Sequence, residues 1–182
     1  MKLDVPYYKL DLTPSQELTS FDFDSIDWAE WTKDTSISSF KPFQELVYIK
    51  FIATPINFWG RTLAKEHRTI HTEYLPIFPF IMNEIERLEN FFNASAMNVA
   101  LDGLPSGAII RKHADRSPIF SQCHRVHLPL VTHPDVKFYI DDVEYHWSAG
   151  SFYEFDNQRI HEVKNNSNIF RIHLLVDLLP NN

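Results

Sequence analysis

Two side chains in the second half of the chain have the types and spacing of metal ligands. His113 and Asp115 are two positions apart, and side chains two apart on a β-strand project from the same face. Such a pair is common by chance, and a solvated strand end is its ordinary explanation. His161, which follows a predicted strand and a turn, is the best candidate for a third ligand. Two histidines and one carboxylate that leave other positions open suit non-haem iron(II).

An arginine ten positions after His161 makes a chance pairing less plausible. Arg171 lies within the apolar segment Ile169–Val176, where a charged guanidinium is costly unless an anion meets it. The planar fork of arginine matches a carboxylate with two hydrogen bonds. The anion could belong to a bound carboxylic acid, or to an internal acid such as Asp177 or Glu162.

A second strand has the same polar alternation. In the segment His124–Leu130, Arg125 and His127 share one face, and apolar side chains occupy the other. We expect the polar face to point into the site. Arg125 and His127 would there bind a second carboxylate or orient a metal ligand; the alternative places both at a solvated rim.

These residues require a scaffold of short strands. Apolar residues at helical spacing predict a core-facing helix over Ile77–Phe92. The stretch Thr13-Pro14-Ser15-Gln16 is typical of a helix start. Turn-separated apolar segments predict an antiparallel sandwich or jelly roll. The predicted strands are Gln44–Ile52, Met97–Leu101, Ala108–Asp115, His124–Val131, Lys137–Ile140, Val143–Trp147, Ser151–Phe155 and Phe170–Asp177.

Composition limits the class of protein. The 182 residues are 44% hydrophobic and carry a formal charge of −7, which disfavours a nucleic-acid partner. No apolar run is long enough for a membrane span. Six of the nine histidines lie within residues 113–161, which points to chemistry in the second half. The single cysteine, Cys123, and an N-terminus without a secretory signal favour a cytoplasmic location.

Five motifs in order, from about Asn98 to Asp177, resemble the aspartyl/asparaginyl β-hydroxylase family of 2-oxoglutarate oxygenases, which also includes relatives similar to free proline hydroxylases. The motifs are Leu104-Pro105-Ser106-Gly107 leading to His113-Ala114-Asp115, Arg125-Val126-His127-Leu128-Pro129-Leu130, Trp147-Ser148-Ala149-Gly150, Phe155-Asp156-Asn157 with His161-Glu162-Val163-Lys164-Asn165, and Arg171-Ile172-His173-Leu174. Together they are far more specific than any one of them.

The resemblance implies a mainly β protein with N-terminal helices (α+β), built as a double-stranded β-helix of the jelly-roll, cupin-like kind. Residues 1–182 would form one oxygenase domain, with 1–93 as helical and strand support and 94–182 as the β-helix core. The resemblance does not cover residues 1–93, which match no family recognisable from the sequence.

The resemblance also implies the roles of the site residues. His113, Asp115 and His161 would form the catalytic iron(II) centre. Arg171 would bind the distal carboxylate of 2-oxoglutarate, with Arg125 and His127 near its other end. O2 would be the second co-substrate. An amino acid or peptide side chain would be hydroxylated at an unactivated C–H bond, with succinate and CO2 as co-products, and the carboxylate of Asp115 fits hydroxylation rather than halogenation.

Three other functions compete with this one. A cupin-type metal enzyme would not use 2-oxoglutarate and would have no need of Arg171. A non-catalytic β-sandwich would bind a ligand or partner without holding iron and 2-oxoglutarate together. An oxygenase acting on nucleobases would carry a second arginine six positions after the first, where this chain has Asp177.

Overall fold

The computed structural model describes residues 2–28, 45–55 and 63–181, and all strand pairs within them are antiparallel. One sheet has the order β1-β9-β6-β11-β4-β2-β3, and the other has the order β5-β10-β7-β8. The strands are β1 (Tyr7–Lys9), β2 (Val47–Ala53), β3 (Thr69–Ile70), β4 (Ala94–Leu104), β5 (Ile109–His113), β6 (His124–Val131), β7 (Val136–Ile140), β8 (Val143–Tyr145), β9 (Tyr153–Phe155), β10 (His161–Asn165) and β11 (Arg171–Pro180).

Aromatic side chains join the inner faces of the two sheets. Phe155 on β9 and Phe138 on β7 have ring centroids 5.4 Å apart, and Trp147 stacks on Phe138 at 4.1 Å. Both rings belong to a buried cluster drawn from the two sheets. This arrangement confirms the mainly β, jelly-roll class of fold.

Strict alternation along the central strands separates the core from the interior of the barrel. On β11, Ile172, Leu174 and Val176 belong to the main hydrophobic cluster, whereas Arg171 and Asp177 line a cavity between the sheets. The side-chain period of two dictates this division, because neighbouring residues face opposite sides of a sheet. Strand β6 and residues 98–102 of β4 divide their side chains in the same way.

The α-helices within the described residues are α1 (Gln16–Thr19), α2 (Ile81–Phe92) and α3 (Pro118–Gln122). Ser15 caps α1 by accepting from the backbone N–H of Leu18, which confirms the predicted helix start. Helix α2 buries Ile85 and Leu88 in the main cluster. None of the helices in the described ranges is both long and apolar enough to cross a membrane.

Helix α2 begins four residues later than the sequence predicts. The prediction started at Ile77, but Pro79 disfavours helical geometry at Phe78 and has no N–H to donate. The helix therefore starts at Ile81 and ends at Phe92, and its C-cap Asn93 has a left-handed φ of 46°. Asparagine tolerates that conformation better than most residues.

The predicted strands are largely confirmed, and β6 has the predicted bounds. Three differences affect the site. The predicted strand Ala108–Asp115 ends at His113 as β5, so Asp115 lies on the loop that follows. Strand β10 was not predicted as a strand, and β1 joins the large sheet from the N-terminal segment by pairing with β9. The start of the predicted strand Gln44–Ile52 lies outside the described residues, and the rest of it corresponds to β2.

Candidate metal and co-substrate site

Three predicted ligands meet at one end of the small sheet. His113 ends β5 and His161 begins β10, and the register of these strands places the two residues opposite each other. Asp115 follows two residues after His113. One ligand atom from each of the three lies within 4.8 Å of the others, and Nε2 of His113 is 3.6 Å from Oδ1 of Asp115.

Backbone carbonyls orient both imidazoles. Nδ1 of His113 lies 2.7 Å from the carbonyl oxygen of Arg111, and Nδ1 of His161 lies 2.9 Å from that of Arg159. A carbonyl can only accept, so Nδ1 carries the proton in each ring. The lone pair of each ring is then on Nε2, the atom through which a histidine oriented in this way ligates a metal.

Burial keeps these imidazoles neutral. It lowers the pKa of His161 to about 4, although Asp115 opposes the shift, and it also lowers the pKa of His113. Metal ligation requires the neutral ring. The donor set of two neutral imidazoles and one carboxylate therefore fits a ferrous ion.

The loop before β10 holds Asp115 in place from its backbone. The N–H of Asp115 donates to the carbonyl of Asn157 at 2.9 Å. The side-chain amide of Gln158 donates to the carbonyl of Asp115 at 2.7 Å. The third ligand and the turn leading to His161 are thus joined directly.

Arg171 is completely buried on β11. Its Nη2 lies 2.7 Å from Nδ1 of His173, and its Nη1 lies 3.1 Å from Oδ1 of Asp102. Neither Nη1 nor Nε has a hydrogen-bond partner of acceptable geometry among the described residues. Buried donors of a charged group in this state call for an anion.

The internal acids suggested by the sequence do not meet Arg171. Asp177 binds Arg125, and Glu162 pairs with Lys164. The nearby acid is Asp102 on β4, which the sequence analysis did not single out. Burial raises the pKa of Asp102, and Arg171 opposes that shift.

Arg125 and His127 are both buried and line the same cavity, so the alternative of a solvated rim is wrong. Arg125 uses Nε and Nη2 to bind the two carboxylate oxygens of Asp177 at 2.7 and 2.8 Å, and its Nη1 contacts Oδ2 of Asp115. These contacts favour the metal-orienting role among the two predicted for Arg125. Nε2 of His127 has no hydrogen-bond partner in the described structure.

The cavity has a volume of about 160 Å³ and connects the three ligands to Arg171. Its walls are mostly apolar, with Tyr48, Ile110, Phe138 and Leu175 among them. Such a space suits a small dicarboxylic acid beside a metal.

Sequence reasoning missed Asp102 and His173, which complete the surroundings of Arg171. A signal existed for His173, because it lies two positions after Arg171 and therefore shares its face. Asp102 also carries a weaker signal, as an acid in the apolar segment Val99–Leu104. Its proximity to Arg171 depends on the pairing of β4 with β11.

The aspartyl/asparaginyl β-hydroxylase family matches residues 23–180 of the sequence. The chain belongs to that family. Membership confirms the resemblance inferred from the five motifs, and with it the prediction of a 2-oxoglutarate-dependent hydroxylase. No curated protein matches this β-hydroxylase family member significantly in sequence.

Solved structures share the fold at low sequence identity. A 2OG-Fe(II) oxygenase family oxidoreductase from Burkholderia pseudomallei is 11% identical with a TM-score of 0.55, over 78% of this chain and 71% of that one. A prolyl-4-hydroxylase from Pseudomonas putida is 16% identical with a TM-score of 0.52, over 97% and 94%. A viral collagen prolyl hydroxylase from Paramecium Bursaria Chlorella virus-1 is 9% identical with a TM-score of 0.54, over 98% of both. At these identities the likeness supports the double-stranded β-helix alone.

Proposed function

We propose that this hydroxylase holds iron(II) with His113, Asp115 and His161 and binds 2-oxoglutarate through Arg171, to hydroxylate an unactivated C–H bond of an amino acid or peptide side chain. The observation that carries the proposal is the coincidence of two features in one cavity. Three mutually close metal ligands share it with a buried guanidinium that has unsatisfied donors.

The bound metal, 2-oxoglutarate and O2 supply the oxidising chemistry, with succinate and CO2 as co-products. The residues of the chain supply position and charge. The neutral imidazoles and the Asp115 carboxylate leave open positions for co-substrates, as a facial triad does. Arg171 orients a dicarboxylate by its distal end.

The surroundings of Arg171 support its role in particular. A cupin-type enzyme that does not use 2-oxoglutarate would need no guanidinium in this place. Buried positive charge is expensive without an anion, and beside Asp102 two nitrogens of Arg171 still have no hydrogen-bond partner among the described residues. A second carboxylate would satisfy the donors that Asp102 leaves unpaired.

The substrate class of this proposal is a small molecule or peptide, and the −7 charge argues against nucleic acid. The proposal also includes the cytoplasmic location expected from the sequence. One domain over residues 1–182, with 94–182 as its β-helix core, completes it.

Succinate release in the presence of iron(II) and 2-oxoglutarate tests the proposal. Free amino acids and peptides are screened for compounds that stimulate release, and mass spectrometry detects one added oxygen in the product. We expect stimulation by at least one compound and its loss in His161→Ala. His133→Ala is the matched control, because His133 is 41% exposed and pairs with Asp135 outside the cavity.

Release of succinate that His161→Ala leaves near the wild-type level would count against the ligand assignment. A protein that binds iron but forms no succinate with any of the compounds would favour the cupin-type alternative. Failure to bind iron and 2-oxoglutarate together would favour a non-catalytic sandwich.

A further inference from the structure

Arg125 lies between two carboxylates in the wall of the cavity. It forms a two-bond fork with Asp177 at 2.7 and 2.8 Å, and its third nitrogen contacts Oδ2 of Asp115. All three side chains are buried. Forked pairs of this kind fix orientation as well as contributing energy, because the two parallel bonds define a plane.

The Asp177 end of this arrangement is itself anchored. Asp177 is fully buried, and the side-chain amide of Asn98 donates to its Oδ2 at 3.1 Å. The Asn98 oxygen in turn accepts from the backbone N–H of Thr54 at 2.9 Å. The Phe120 ring covers the guanidinium with its centroid 4.3 Å from the central carbon. The guanidinium is therefore held on two sides before it reaches Asp115.

The contact with Arg125 divides the two oxygens of Asp115 between two tasks. Oδ2 contacts the guanidinium, whereas Oδ1 faces the Nε2 atom of His113 at 3.6 Å. A carboxylate on a loop after a strand end can rotate unless both oxygens are held. With Oδ2 bound to the guanidinium, Oδ1 is the oxygen of Asp115 that lies beside the neighbouring ligand His113.

We propose that Arg125, which is bound by Asp177, is a positioning residue: it holds Oδ2 of Asp115 and thereby leaves Oδ1 as the oxygen that would bind the metal. The inference rests on the proposed function, since it assumes a metal at the three ligands. It gives Arg125 a role distinct from the co-substrate binding that the family resemblance implies. Three of its nitrogens each face a carboxylate oxygen of the chain already.

Cobalt(II) binding tests the proposal without depending on turnover. The dissociation constant of Co(II) is measured by competition with a chelating dye, and the visible absorption of the bound ion reports its coordination. The variants are Arg125→Met, the charge-balanced pair Arg125→Met/Asp177→Asn and the ligand variant His161→Ala. Lys137→Met is the control, because Lys137 pairs with Glu144 on a hairpin away from the cavity.

We expect Arg125→Met to weaken Co(II) binding about 10- to 100-fold, as loss of a partner to a metal ligand does. The absorption of the bound ion should change shape, because Asp115 becomes free to rotate. The charge-balanced pair should regain thermal stability and keep the weaker binding and altered spectrum. Such a result separates positioning of Asp115 from a merely structural role.

Wild-type affinity and an unchanged spectrum in the folded charge-balanced pair would overturn the positioning role alone, provided that His161→Ala loses the ion. Weaker 2-oxoglutarate binding at saturating Co(II), with Co(II) affinity unchanged, would assign Arg125 to the co-substrate instead. Absence of Co(II) binding in the wild-type protein would overturn the proposed function together with this inference.

Discussion

Replacing Arg171 by methionine removes the guanidinium and keeps an unbranched apolar side chain of similar length. The wild-type guanidinium is completely buried, so water does not screen the interactions that the substitution removes. The variant has two separable consequences: loss of the anion-binding group, and loss of the partner of Asp102. Each can be given a magnitude.

The attraction between charges 3.1 Å apart, the distance from Nη1 of Arg171 to Oδ1 of Asp102, is about 5 kcal/mol at an effective dielectric constant of about 20. Removing one member of a buried pair typically costs about 3–5 kcal/mol. Burial already raises the pKa of Asp102, so this acid can take up a proton in the variant. We therefore expect the lower end, about 3 kcal/mol, or a fall in Tm of roughly 6–12 °C.

The loss of affinity for 2-oxoglutarate should be larger, and it should persist in a variant whose stability has been restored. Truncating one partner of a buried charge pair across a binding interface costs about 2–5 kcal/mol, or roughly 30- to 5,000-fold in Kd. The double variant Arg171→Met/Asp102→Asn removes both charges and should recover most of the lost Tm. Its affinity for 2-oxoglutarate should stay as low as in the single variant.

Anaerobic calorimetry measures iron(II) first and 2-oxoglutarate second in the same sample, and thermal melts report stability. Iron binding should be preserved in both variants, because Arg171 contacts none of the three ligands in the structure. A single variant that binds 2-oxoglutarate within about threefold of wild type would refute the reasoning. Recovery of 2-oxoglutarate binding in the double variant would do so as well.

Three further predictions concern stability and reactivity. The free energy of unfolding of the metal-free protein should fall by about 2 kcal/mol between pH 7 and pH 5 from His161 alone, because its pKa of about 4 lies below the unfolded value of about 6.5 and the unfolded chain binds more protons in that window. Urea titrations with a chelator present measure this fall, and a flat profile would contradict the burial of the imidazole. Burial raises the pKa of the Cys123 thiol, so we expect iodoacetamide to label it only under denaturing conditions, and rapid native labelling would be inconsistent with the structure. A methyl group on Gly103 would overlap the Phe170 ring, so Gly103→Ala should lose about 1–3 kcal/mol of stability. Adding Phe170→Leu to that variant should restore part of the loss. A Gly103→Ala melting temperature equal to that of the wild type would show that the ring moves aside freely.

Much of the site could be predicted because it follows from local spacing. The spacing of two singled out the pair His113 and Asp115 and the pair Arg125 and His127. Arg125 and His127 share one face of β6, whereas β5 ends at His113, so Asp115 lies on the loop beyond that strand. The structure confirms that both pairs are buried and that they line one cavity. The role of each residue stays a prediction until it is measured.

Other parts of the fold depend on pairing between distant segments. The segment His161–Asn165 has alternating polar residues and weak strand propensity, and it becomes a strand because β5 and β7 flank it. Strand β1 is three residues long and depends on distant partners, because it pairs with β9 and packs Tyr7 on Trp147. The acid beside Arg171 was mispredicted for the same reason, since the register of β4 with β11 brings Asp102 close.

Anaerobic titration of wild-type protein and of His161→Ala with iron(II), followed by 2-oxoglutarate, tests the central claim most directly. The account predicts one tightly bound iron(II) per wild-type chain, 2-oxoglutarate binding that is tight only after iron has bound, and loss of both in the folded variant. Retention of neither ligand by the wild-type protein, or equal binding of both by His161→Ala, would contradict it.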